Sequence, residues 1–61
     1  MAQITSKELS GISDLLSMEQ NLVAKYSQYA KEAQDSALRD KYEQIAQQHQ
    51  GHLDELWANL K

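Results

Sequence analysis

Apolar residues recur at alternating steps of three and four along the first half of the chain. Such steps place side chains on one face of an α-helix, because the helix makes one turn every 3.6 residues. Thr5 and Glu8 have the spacing of a capping box, in which each side chain satisfies a free amide at a helix N-terminus. The pattern therefore predicts a long amphipathic helix over about residues 5–34. Its seam consists of Leu9, Ile12, Leu16, Glu19, Val23, Tyr26, Ala30 and Ala33.

The same spacing resumes after a short polar break at Gln34, Asp35 and Ser36. The short polar side chains of this break can accept hydrogen bonds from the free amides that open a helix. A second helix is predicted from about residue 36 to about residue 60. Its predicted seam consists of Leu38, Tyr42, Ile45, His49, His52, Leu56 and Leu60.

Two helices of similar length with a tight connection are expected to fold back as an antiparallel hairpin. Each helix also has a second apolar line, which would face water unless other helices covered it. We therefore predict an all-α fold in which one hairpin domain, residues 1–61, forms a homodimeric four-helix bundle. An alternative is a hairpin that docks into a groove of a larger partner. The second lines are Leu15, Leu22 and Tyr29 on helix one, and Ala46, Leu53 and Leu60 on helix two, with Trp57 nearby as expected dimer packing.

Charge and composition exclude several classes of function. The formal net charge is −3 and the six Lys and Arg residues are scattered, whereas nucleic-acid binding needs clustered cations that neutralise phosphates. No apolar run approaches the length of a membrane span, and no basic and apolar leader is visible, so an intracellular protein is expected. The chain has no cysteine, which excludes disulfides and thiolate metal sites.

Three polar residues interrupt the predicted seams: Glu19 on helix one, and His49 and His52 on helix two. Counted from the turn at 1.5 Å per residue, all three lie at about the same height, so they should meet in an antiparallel pair. Two imidazoles and a carboxylate suit a divalent Zn, Fe or Mn ion. The alternative is that a histidine hydrogen-bonds the glutamate and fixes the register of the helices without a metal. Hydrolase and transferase motifs are absent. A metal at these three residues would make the chain a metal-binding protein or a minimal metalloenzyme, and a non-enzymatic role is the favoured expectation.

The turn and the second helix resemble those of ferritin-like proteins, and especially the short spore coat F-like proteins of endospore-forming bacteria. The resemblance rests on Asp35-Ser36-Ala37-Leu38-Arg39 and on the stretch from Ile45 to Leu56, which reads IAQQHQGHLDEL. The helix before it, with Leu16-Ser17-Met18-Glu19-Gln20, is similar to the one on which ferritin-like members place a metal-binding glutamate.

This resemblance implies a ferritin-like bundle with a structural or assembly role in a bacterial spore coat, where other coat proteins would be its partners. It also implies that Glu19 matches the carboxylate of the first helix and that His52 matches the histidine of a Glu-x-x-His pattern. His49 stands where that pattern has glutamate. With one bridging carboxylate fewer, the resemblance implies a mononuclear or structural ion.

Overall fold

The computed structural model describes residues 4–60, so residues 1–3 and 61 of the predicted domain lie outside this description. Helix α1 spans Ser6–Glu32 and helix α2 spans Ser36–Leu60. The two helices pack against each other along their length, which makes a hairpin of about 47 × 16 × 11 Å. The all-α hairpin predicted from the sequence is confirmed. Neither of these helices is apolar over enough of its length to cross a membrane.

Helix α1 begins with the predicted capping box. The Thr5 hydroxyl accepts a hydrogen bond from the Glu8 amide at 3.1 Å, and the Glu8 carboxylate accepts one from the Thr5 amide at 3.4 Å. The helix ends two residues earlier than predicted, because Ala33 adopts an extended backbone conformation as the C-cap.

The turn is closed by side chains at both of its ends. The Asp35 carboxylate accepts a hydrogen bond from the Leu38 amide at 2.9 Å, which caps the first turn of α2. The Arg39 guanidinium reaches back across the turn and donates to the Ala33 carbonyl at 3.0 Å. This pairing satisfies a carbonyl that α1 leaves free and holds the two helix ends together.

The predicted seam of α2 was wrong in one respect, which is the choice between two neighbouring apolar lines. Ala46 and Leu53, predicted on the outer line, are buried between the helices, whereas Leu38 is 46% exposed and the His52 side chain is 58% exposed. Both lines lie within one broad apolar arc, and packing against α1 selects the one that contains the small Ala46. The inner line of α2 is Tyr42, Ala46, His49, Leu53, Leu56 and Leu60.

The two broad sides of the hairpin differ in polarity. On one side, Leu38 and Tyr29 line the same depression, and apolar residues continue from both at seven-residue spacing. We call this side the apolar face; it comprises Leu15, Leu22 and Tyr29 of α1 and Leu38 and Ile45 of α2. The opposite side, the polar groove, is lined by Ser27, Ala30, Lys31, Arg39, Glu43, Ala46 and Gln47. Trp57 continues the line of Glu43 and is 49% exposed, so it lies toward the side of the polar groove.

Candidate functional site

Glu19 is the one charged residue among residues 4–60 that is buried, with 5% of its surface exposed. It lies in the middle of the inner face of α1, where the heptad spacing of this helix turns it toward α2. A buried carboxylate is costly unless hydrogen-bond donors or cations surround it. The side chains that α2 places opposite Glu19 therefore decide how this charge is accommodated.

Two histidines of α2 converge on the same oxygen of Glu19. The Nδ1–H group of His49 donates a hydrogen bond to Glu19 Oε2 at 2.8 Å, and Nδ1 of His52 lies 3.4 Å from that oxygen. Because the two histidines are three residues apart, they project from neighbouring turns on one face of α2. The sequence predicts that these three residues meet, and the structure brings them together.

The spacing of these groups suits one small cation. One ligand atom from each of Glu19, His49 and His52 lies within 4.8 Å of the others. Ligand atoms at about 2.1 Å from a tetrahedral zinc ion stand about 3.4 Å apart. The Glu19–His52 separation already has this value, and the Glu19–His49 hydrogen bond would lengthen by about half an ångström. Two nitrogens and one oxygen from the protein leave a fourth position free.

His49 and His52 have different surroundings. The His49 side chain is 23% exposed, whereas that of His52 is 58% exposed. His52 follows Leu38 and Ile45 at seven-residue spacing, so it extends the line of the apolar face. The prediction that His52 is a core seam residue is therefore wrong, and the site is open to solvent at His52.

An aromatic cluster positions the buried side of the site. The Tyr26 ring is nearly parallel to the His49 ring, at 17°, with the ring centroids 6.4 Å apart. Tyr42 lies 6.0 Å from Tyr26, and Tyr29 packs edge-on to Tyr26 at 5.6 Å. Tyr26 and Tyr42 both stand on the predicted seams. In the structure Tyr26 restricts the orientation of the His49 ring by packing.

The register alternative also has support in this geometry. The Glu19–His49 hydrogen bond joins residues 30 positions apart and fixes the height at which the helices pair. His52, however, is not needed for that role, because its longer contact adds a second imidazole to an oxygen that His49 already satisfies. The roles of these residues as metal ligands stay a prediction.

The polar groove was not singled out from the sequence. Lys31, Arg39 and Glu43 all line it, which gives a mixed-charge surface. A sequence signal did exist, because these residues recur along the helix edges opposite the apolar lines. Side chains of both signs at a solvated edge are typical of helical surfaces and indicate no particular ligand.

One comparison with known proteins identifies the family of this chain. Residues 11–59, which include most of both helices and all three residues of the candidate site, match the family model of the Coat F domain. No curated protein and no solved structure gives a match. The family match confirms the resemblance to spore coat F-like proteins that the sequence predicts.

Proposed function

Because the chain belongs to the Coat F domain family, we propose that it is a small structural protein of a spore coat and functions as a homodimeric, ferritin-like four-helix bundle. Other coat proteins are its expected partners, and the coat is its expected location. The observation that carries the proposal is the apolar face, which the single hairpin leaves exposed.

The apolar face has the residues of a helix-packing surface. Leu15, Tyr29 and Leu38 are 38%, 40% and 46% exposed, and they belong to lines that repeat every seven residues. That repeat is the one by which helices pack side by side in bundles. A second copy presents an identical set of lines, so two hairpins can cover each other with all four helices nearly aligned.

The surface area also favours a second copy. A compact monomer of 7.0 kDa is expected to expose about 4,000 Å². This hairpin exposes 4792 Å², and no large side chain among residues 4–60 is fully buried. The excess is close to the roughly 800 Å² that each partner buries in a standard interface. Covering one such interface would bring the area that each hairpin exposes close to the value for a compact 7.0 kDa monomer.

A substitution on the apolar face tests the dimer. Leu38→Glu is expected to weaken dimerisation at least about tenfold, because it replaces a partly exposed apolar side chain by a charge that the second copy would desolvate. Glutamate in the first turn of α2 is favourable to the helix, so the hairpin itself is expected to stay folded. Light scattering coupled to size-exclusion chromatography over a dilution series measures the change.

Ala37→Glu is the matched control, since it makes the same charge change in the same turn of α2 but on the neighbouring, solvent-facing side. It is expected to leave dimerisation unchanged. A wild-type chain that stays monomeric at high concentration would contradict the proposal and favour the hairpin that docks into a larger partner. Equal weakening by both variants would show that the apolar face is not the interface.

We infer a second function, the binding of one divalent transition-metal ion by Glu19, His49 and His52. The observation that favours it is that one ligand atom from each of the two imidazoles and the buried carboxylate lies within 4.8 Å of the others. Imidazole nitrogens favour zinc, iron or manganese over magnesium, which prefers an octahedral shell of oxygens.

Metal content tests this second function. We expect purified, untagged protein reconstituted with zinc and then desalted to retain about one ion per chain, because three ligands from two packed helices preorganise the site. Elemental analysis measures the ratio, and magnesium treatment serves as the control that should leave no ion bound. Retention of zinc by His49→Gln at the wild-type ratio would contradict this ligand set, since that variant lacks one of the two imidazoles.

A further inference from the structure

The structure points to a coupling between the two proposed functions: a zinc-like divalent cation at Glu19, His49 and His52 strengthens the association of two hairpins. This inference rests on the proposed dimer and on the proposed site. It follows from the position of His52, which belongs to the proposed metal site and also extends the α2 line of the apolar face.

His52 connects the site to the apolar face. Its Nδ1 atom lies 3.4 Å from the buried carboxylate of Glu19, while 58% of its side chain is exposed. At the same time, it continues the line of Leu38 and Ile45 along α2. A second copy that covers the apolar face over its full length therefore covers the His52 ring as well.

Burial of His52 by a second copy carries a cost when no metal is bound. The ring loses contact with water, its rotamer becomes fixed, and its contact with Glu19 is longer than a good hydrogen bond. A cation bound by all three residues satisfies the Nδ1 atom and fixes the ring before the second copy arrives. The cost of association is then smaller, so the bound ion favours the dimer.

The fourth coordination position adds to the coupling. Three protein ligands leave one position of a tetrahedral ion for water or another group. Because His52 is the most exposed member of the set, we expect solvent to reach this free position past His52, on the side of the apolar face. In the dimer it is enclosed by the second copy, which protects the ion from exchange with solvent.

The coupling is reciprocal. If the two ions of a dimer together tighten it by a given factor, dimerisation must tighten ion binding by the same factor in total, shared between the two sites. We expect a factor of at least about ten, which corresponds to roughly 1.4 kcal/mol. Such coupling would let the supply of a divalent cation control when this small protein assembles.

Sedimentation equilibrium of the full chain tests this inference. The dimer dissociation constant is measured in chelator, with one equivalent of zinc, and with magnesium. We expect zinc to lower the constant at least about tenfold and magnesium to leave it at the value found in chelator. A zinc-independent constant, in a chain that retains one zinc, would overturn the coupling while both proposed functions stand.

Two variants distinguish zinc held by the three residues of one chain from zinc that merely links the exposed His52 residues of two chains. Glu19→Gln and His49→Gln each remove one ligand but leave the exposed His52 in place, and the amide oxygen introduced by Glu19→Gln would still accept the hydrogen bond from His49. Either variant is expected to dimerise in chelator and to lose the response to zinc. If both keep the response, the exposed His52 alone bridges the chains and the inference is wrong.

Failure of the underlying proposals gives different results. A chain that is monomeric in all three solutions contradicts the dimer and, with it, the coupling. A chain that dimerises equally in all three and retains no zinc contradicts the metal site and the coupling but leaves the dimer in place. His49→Gln, whose side chain is partly exposed, keeps the experiment decisive if Glu19→Gln fails to fold.

Discussion

Leu53→Ala is expected to lower the free energy of unfolding by about 2–5 kcal/mol, the range for a leucine truncated in a well-packed core. Leu53 is 8% exposed and is larger than the other two buried apolar residues, Ala30 and Ala46. A domain of this size has only about 3–5 kcal/mol of stability from its core. The variant is therefore expected to be largely unfolded at temperatures where the wild type is folded. Urea unfolding followed by far-UV circular dichroism measures the difference.

Leu9→Ala is the matched control for this substitution. Leu9 is 49% exposed near the start of α1, so its truncation is expected to cost less than about 1 kcal/mol. Equal costs for the two variants would contradict the packing in which Leu53 lies between the helices. That result would instead favour the seam through Ile45 and His52 that the sequence suggested.

Zinc is expected to raise the melting temperature, and His52→Ala is expected to remove most of that increase. An ion that binds only the folded chain stabilises it by about 2.7 kcal/mol when the free ion is at 100 times its dissociation constant. For a domain of this size, that energy corresponds to an increase of roughly 10–20 °C. In chelator, His52→Ala is expected to cost little, because its side chain is 58% exposed and alanine is the better helix former.

Thermal melts of wild type and variant, each with zinc and with chelator, measure these four values at one protein concentration. Gln48→Ala, also exposed on α2, is the control and is expected to keep the full increase with zinc. An equal loss of stability by His52→Ala in zinc and in chelator would contradict metal binding. The trio would then act through hydrogen bonding and packing alone.

Part of the candidate site could be predicted by counting residues from the turn along each helix. Glu19 and His49 lie at matching distances from the turn, and the structure pairs them at 2.8 Å. The stacking of Tyr26 on His49 could not be obtained in this way, because it depends on the rotamers of both rings. The exposure of His52 was also missed, because a helical face is a wide arc and the count of residues gives height rather than distance from the neighbouring helix.

Local features of this protein could be predicted from the order of its residues alone. The two helices, the capping box of Thr5 and Glu8, and the cap by Asp35 involve residues at most four apart in sequence, or a repeat within one helix. The interactions that form these features lie within one helix or one turn, so the packing of the two helices was not needed to predict them.

The line of α2 that faces α1 depends instead on how the two helices pack. Ile45 and Ala46 are adjacent on the same apolar arc, and steps of three or four from Tyr42 reach either of them. Packing selects Ala46, which is buried, and this rotation of α2 places Leu53 inside and His52 at the edge. The physical reason is that a residue is buried only where two surfaces meet. The apolar pattern of α2 therefore limits which lines could face α1, and the packing of the two helices determines which line does.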